Sequence, residues 1–150
     1  AFANIAGALR PGARIVFAAW GPVAKNVYWR DPARIAADRL ASPPASKPNT
    51  PGPMGMSDKD WSLAQLRSAG LVNVACEEVE IGLIIAGPPD EAADLVLAIG
   101  PAARVIRLFE GTEADVIAIR EAVARELEAY VDGPNIRIPA LIHLYTAHTA

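Results

Sequence analysis

The chain is poor in the residues that usually announce a chemistry. Its 150 residues include one cysteine, Cys76, and two histidines. A single cysteine excludes an internal disulfide, and so few nitrogen and sulfur ligands exclude a clustered zinc site. No apolar run reaches the ~18 residues that a membrane-spanning helix needs, and no signal-peptide pattern opens the chain. Positive charge is not in excess: 14 Lys and Arg stand against 17 Asp and Glu, a net charge of -3, with a pI near 5.4. That balance excludes the basic patch typical of nucleic-acid binders. Apolar residues, by contrast, make up 52% of the chain and charged ones 21%. A packed core is therefore expected, in one domain over residues 1–150, in a soluble cytoplasmic protein with neither nucleic acid nor membrane as partner.

The apolar pattern divides into elements. Phe2, Ile5, Ala6 and Leu9 recur at helical spacing. Pro11 stops that helix, because the residue before a proline avoids the α region. Arg14 to Trp20 is a nearly continuous apolar run between Gly12 and Gly21, the pattern of a strand buried on both faces. Prolines then crowd residues 21–56. A short helix is expected over Arg30–Leu40, with Pro32 in its first turn. "SPPASKPNTPGPMGM" should be an irregular loop, longer than the ~12–15 residues at which a loop is usually functional or mobile.

Ser57 is placed to cap a helix whose inward residues are Trp61, Ala64 and Leu66, and Gly70 should end it. "LVNVACEEVEIGLII" reads as a strand with a bend near Gly82. Pro88-Pro89-Asp90 opens one helix and Pro101 another. Thr112, with Asp115 three residues on, caps a helix striped by Val116, Ile119, Val123, Leu127 and Tyr130. A turn at Asp132-Gly133-Pro134-Asn135 leads into a final β-rich run that Pro139 should enter only at its margin.

Two short motifs carry a resemblance. Leu9-Arg10-Pro11-Gly12 joins a helix to a strand, and Ala69-Gly70-Leu71 does the same further on. In this order the chain resembles the C-terminal half of class I S-adenosylmethionine-dependent methyltransferases. That family has Leu-Lys/Arg-Pro-Gly-Gly before its fifth strand and Ala-Gly-Phe before its sixth; Ala13 and Leu71 depart from it. The resemblance implies an α/β, partial Rossmann-like methyltransferase fold: a short mixed sheet with an antiparallel last strand between the other two, helices and a Pro-rich loop. It implies a transferase acting on a small-molecule methyl acceptor, with S-adenosylmethionine bound only in the full-length enzyme. The family's glycine-rich loop and ribose-binding carboxylate have no counterpart here. The N-terminal cofactor-binding half is expected to be absent and the chain inactive alone. The alternative is a non-catalytic dimerisation or ligand-binding module.

By the same resemblance Trp20, Asn26, Tyr28, Trp29 and Met54 are candidates for the acceptor site. Trp20 would wall the pocket, or else plug the space under the Pro-rich loop. Asn26, Tyr28 and Trp29 could orient and stack on a flat organic molecule, or simply begin a packed helix. Met54 and Met56 could line the pocket or staple against Trp61. His143 and Tyr145 share a strand face and could act as a base, although a core histidine bonded to a neighbour is the default; His148 lies on the other face. Glu77 and Glu78 should hold the Cys76 thiol protonated, and with Glu80 they read as a solvated face rather than a metal site. No catalytic residue, cofactor ligand or metal ligand is assigned. The uncharged, proline-free run Ile15–Trp20 suggests a homodimer through an exposed strand edge.

Overall fold

Pro11 and Gly12 turn the chain out of α1 (Phe2–Ala8) and into β1 (Arg14–Trp20). In this computed structural model, which describes residues 1–150, α2 (Val27–Arg39) and α3 (Lys59–Ser68) follow. Then come β2 (Leu71–Ala86), α4 (Pro89–Ile99), α5 (Pro101–Leu108), α6 (Glu113–Leu127), β3 (Val131–Asp132) and β4 (Asn135–Thr149). The strands form one open sheet in the order β1-β4-β2, with β3 paired to the start of β4 as a hairpin. The last long strand therefore lies between the other two, antiparallel to β1, as expected. The sheet is not mixed, however. β4 separates β1 from β2, so every neighbouring pair is antiparallel. No helix is long and apolar enough to cross a membrane.

The chain falls into two compact units, one of residues 1–23, 46–81 and 141–150, the other of residues 24–45 and 82–140. β2 and β4 supply residues to both. In the first unit β1 and β4 pair from Arg14↔His148 to Trp20↔Ile142. Directly opposed residues share a sheet face. Ile15, Phe17 and Ala19 thus join Tyr145 and Ala147 under α1 and α3, where Leu66, Leu71, Val74 and Cys76 complete the core. Phe17 stacks on Tyr145 at 5.0 Å and on Phe2 at 5.5 Å. Each such pair adds roughly 0.5–1.5 kcal/mol to the burial itself. At seven residues, with no side-chain cap and no buried residue, α1 is too short to stand alone. The packing of Phe2 and Ala6 holds it. β1 is not buried on both faces: Val16 is 50% exposed and Ala18 is also exposed. An apolar run hides this half-burial, because alanine and valine suit either face.

The second unit packs α2, α4, α5 and α6 around Ile85, Ile136 and Ile138. Its longest helix has the expected Thr112 cap, and the cap is reciprocal: Thr112 Oγ1 accepts from the Asp115 amide, and Asp115 reaches back to the Thr112 amide at 3.0 Å. Hydrogen bonds from Thr112, then Arg39, hold the Asp115 carboxyl below the usual carboxylate range. Arg120 joins α6 to α4 through Asp94.

Four local expectations shift. α2 begins at Val27, not Arg30, and Pro32 lies inside it. The missing amide hydrogen bond is outweighed by burial of Val27, Ile35 and Ala36 in the core. The α3 cap is Asp58, whose carboxylate accepts from the Trp61 amide at 3.0 Å. Ser57 is instead committed to the Met54 carbonyl at 2.8 Å, and α3 buries Ser62 and Leu66, leaving Ala64 exposed. β2 runs unbroken through Gly82. Its alternation slips instead at Asn73, which takes a left-handed φ of 51°, and again at Glu77-Glu78, both exposed. Pro139 sits within β4, not at its margin. It precedes Ile142, where the β1 pairing stops, so no ladder bond to β1 is lost.

The far end of β4 clasps the α1–β1 turn. Thr149 Oγ1 donates to the Arg10 carbonyl at 2.6 Å and accepts from the Ala13 amide at 2.9 Å. Its backbone exchanges further bonds with Gly12 and Ala13. The isosteric change Thr149→Val should lower stability by about 0.5–1.5 kcal/mol, since it removes two part-buried hydrogen bonds while the Ala13 amide keeps its bond to the Arg10 carbonyl. Urea denaturation checks this. An unchanged midpoint would show that water replaces the hydroxyl at no cost.

Candidate functional site

The turn that opens α2 carries three of the residues singled out by sequence. Asn26 is fully buried in the N-cap position, and its carbonyl accepts from the amides of Trp29 at 3.0 Å and Arg30 at 2.9 Å. Tyr28 and Trp29, both half-buried, meet edge to face at 5.4 Å. The turn is pinned by Arg30, which grips the buried Asp31 carboxylate through two bonds of 2.7 and 2.9 Å and donates to the Ala24 carbonyl. Burial pushes the Tyr28 phenol above its ordinary value, so it is a neutral hydrogen-bonding group at physiological pH.

Tyr28 also walls a cavity between α2, α4, α6 and β4, together with Val27, Ile35, Val96, Leu127 and Tyr130. Its lining is apolar, but the space open to a water-sized molecule is only about 10 Å³. One water needs about that much, and sites for organic ligands run to roughly 300–1,000 Å³. As it stands the cavity holds no organic acceptor. A larger, open groove of about 490 Å³ runs between α2 and α6, over Ala118 and Ala122. Of its rim charges, Arg34 pairs with Asp38 and Glu126, and Arg39 pairs with Asp115.

Trp20 and Met54 belong to the other unit. Trp20 ends β1 opposite Ile142 and is half-buried. The next residue must be small: a Cβ on Gly21 would lie 2.9 Å from the Leu141 carbonyl oxygen. Met54 is half-buried in the turn before α3. Asn26, Tyr28 and Trp29 thus share a single turn of the second unit, while in the first Trp20 ends β1 and Met54 lies in the turn before α3.

The first unit also encloses a polar cluster. Tyr145 is 0% and His143 2% exposed, and the phenol oxygen lies 3.3 Å from His143 Nδ1. The phenol donates to the Met56 carbonyl at 3.0 Å, so Nδ1–H of His143 is the donor to the phenol oxygen. Ser62, also fully buried, donates to the same Met56 carbonyl at 3.2 Å. This is a core histidine bonded to a neighbour, closed off from any acceptor. Sequence reasoning pairs His143 with Tyr145 but misses Ser62 and the Met56 carbonyl. The available signal is a serine one turn before Leu66 on the inward side of α3. Burial, more than the charge of Glu78, pushes the Cys76 thiol up, which favours its protonated form. Glu77, Glu78 and Glu80 are exposed, and Glu78 meets Lys59 at 3.4 Å. No three His, Cys, Asp or Glu side chains converge to hold a metal ion.

Burial raises the Tyr145 phenol to about 12, from an ordinary 10.0. The unfolded chain then ionises first. The tyrosine's contribution to stability should be complete below about pH 10 and lost as pH rises towards about 12. Denaturation midpoints across this range should fall for the native chain and fall less for Tyr145→Phe. Parallel curves would mean that another group governs the alkaline loss.

No protein-family model matches this chain, and no curated protein matches it significantly.

Proposed function

We propose that the chain is the acceptor-side portion of a class I S-adenosylmethionine-dependent methyltransferase with a Rossmann-like fold, acting on a small organic molecule. One observation carries this reading: β4, last in sequence, lies antiparallel between β1 and β2. The family's order implies that arrangement. It is supported by the two motif turns, since Leu9-Arg10-Pro11-Gly12 leads into β1 and Ala69-Gly70-Leu71 into β2. Trp20, Asn26, Tyr28, Trp29 and Met54 would serve by stacking on the acceptor, orienting it and excluding water, which is the larger part of catalysing such a transfer.

The residues present do not fit the cofactor. β1 leads into Gly21-Pro22, and β2 into Gly87-Pro88-Pro89, whose prolines have no N–H to offer an anionic group. The cofactor is therefore assigned to other parts of a longer protein. Titration calorimetry of the 150-residue chain with S-adenosylmethionine should show no binding in the micromolar range. The coding sequence upstream should specify a strand, a glycine-rich loop and a helix. Micromolar binding by this chain alone, or an upstream frame without that loop, would overturn the reading.

A second reading, a non-catalytic module that dimerises, is favoured by the edge position of β1 and by half-exposed Val16. On that reading light scattering across a dilution series should give a dimer mass at micromolar concentration. A constant monomer mass would remove it.

A further inference from the structure

Residues 40–58 form the longest stretch without helix or strand. Most of its hydrogen bonds are internal. Thr50 donates to the Lys47 carbonyl, the Gly55 amide to Gly52, and Ser57 to Met54 through both its amide and its hydroxyl. The bonds of Gly55 and Ser57 close residues 52–57 into two overlapping turns, a compact knot. Gly55 has no room for a side chain there: a Cβ would lie 2.7 Å from the Thr50 carbonyl oxygen and 3.1 Å from that of Gly52. Before the knot, residues 41–46 have neither regular structure nor a side-chain hydrogen bond. The knot's hydrogen bonds to the sheet and to α3 meet on one atom, the carbonyl oxygen of Met56, which accepts from Tyr145 at 3.0 Å and from Ser62 at 3.2 Å.

We propose that the buried hydroxyls of Tyr145 and Ser62 form a catch on the Met56 carbonyl, and that the turns over residues 52–57 open when this catch is released. Both donors are fixed. Tyr145 is held by its stack on Phe17 and by His143, and Ser62 by its position in α3 beside Leu66. The acceptor end is a backbone atom in a segment without helix or strand. The low-stability end of a fold is where so few attachments place a segment. If Met54 lines the acceptor site, a point that rests on the methyltransferase reading, Tyr145 and Ser62 are positioning residues for it. The catch itself does not depend on that reading.

Amide hydrogen exchange on the intact chain tests the catch without any activity assay. In Tyr145→Phe, which keeps the ring stack, the Gly55 and Ser57 amides should exchange at least about tenfold faster, as loss of one buried hydrogen bond implies, with β1 and β4 amides near their native rates. Ser62→Ala, which leaves the stack untouched, should act in the same direction and keeps the test open should the tyrosine variant fold poorly. Unchanged exchange at Gly55 and Ser57 in both variants would overturn the proposal. So would a uniform rise across β1 and β4, which is the signature of general damage to the core. Either result can occur whether or not the longer protein proves to be a methyltransferase.

Discussion

Strand β4 is the constraint on which the rest depends. It holds the central place in the sheet, and both compact units draw core residues from it. In the second unit Ile136, Ile138 and Ala140 are buried; in the first, His143, Tyr145, Ala147 and Thr149. The buried set changes from even to odd numbers at Leu141-Ile142. Strand side chains alternate strictly, so a slip of one residue would expose both sets together. The ladder from Arg14↔His148 to Trp20↔Ile142 and the Thr149 clasp on the α1–β1 turn hold that register.

The two units solve the same problem of a thin sheet with different materials. The second uses mainly aliphatic side chains from four helices, with Asn26 and Asp31 buried at the start of α2 and other polar atoms spent on caps and ion pairs at the rim. The first uses stacked rings and places polar groups inside. Each of these must be matched, because an unpaired buried donor costs roughly 1–3 kcal/mol. Ser62, Tyr145 and Met56 meet that requirement with one carbonyl and two hydroxyls. The His148 Nδ1 atom is enclosed without a hydrogen-bond partner. Such groups order a loop and a tautomer, but the enclosure that makes them strong also removes them from direct chemistry.

Much of the local architecture is legible in the residues themselves. Periodicity and capping residues locate α4, α5 and α6 nearly to the residue, because Pro89, Pro101 and Thr112 act on the backbone within one turn. β1 is legible for the same local reason, as an apolar run between two glycines. Its exposed face is not, since valine and alanine carry no record of what covers them. The α3 cap falls one residue later than the pattern suggests: Ser57 and Asp58 are both competent caps, and only the fold of the preceding turn commits Ser57 to Met54. Of the candidate site, the Tyr28–Trp29 pair is visible as neighbouring aromatics. The small size of the cavity beside Tyr28 is not, because it depends on how four elements close.

What the sequence determined by itself is therefore local: where helices start and stop, where the chain turns, and that no disulfide forms. Its pattern also suggested the order of strands, through turns that resemble those of a known family. Tertiary structure decided which face of β1 is covered, which hydroxyls meet the Met56 carbonyl, and that His143 is sealed rather than offered to a substrate. The division has a physical cause. Backbone preferences act over a few residues and leave a mark in composition. Burial and hydrogen-bond partnership join residues as distant as Met56 and Tyr145, and no spacing along the chain encodes that meeting.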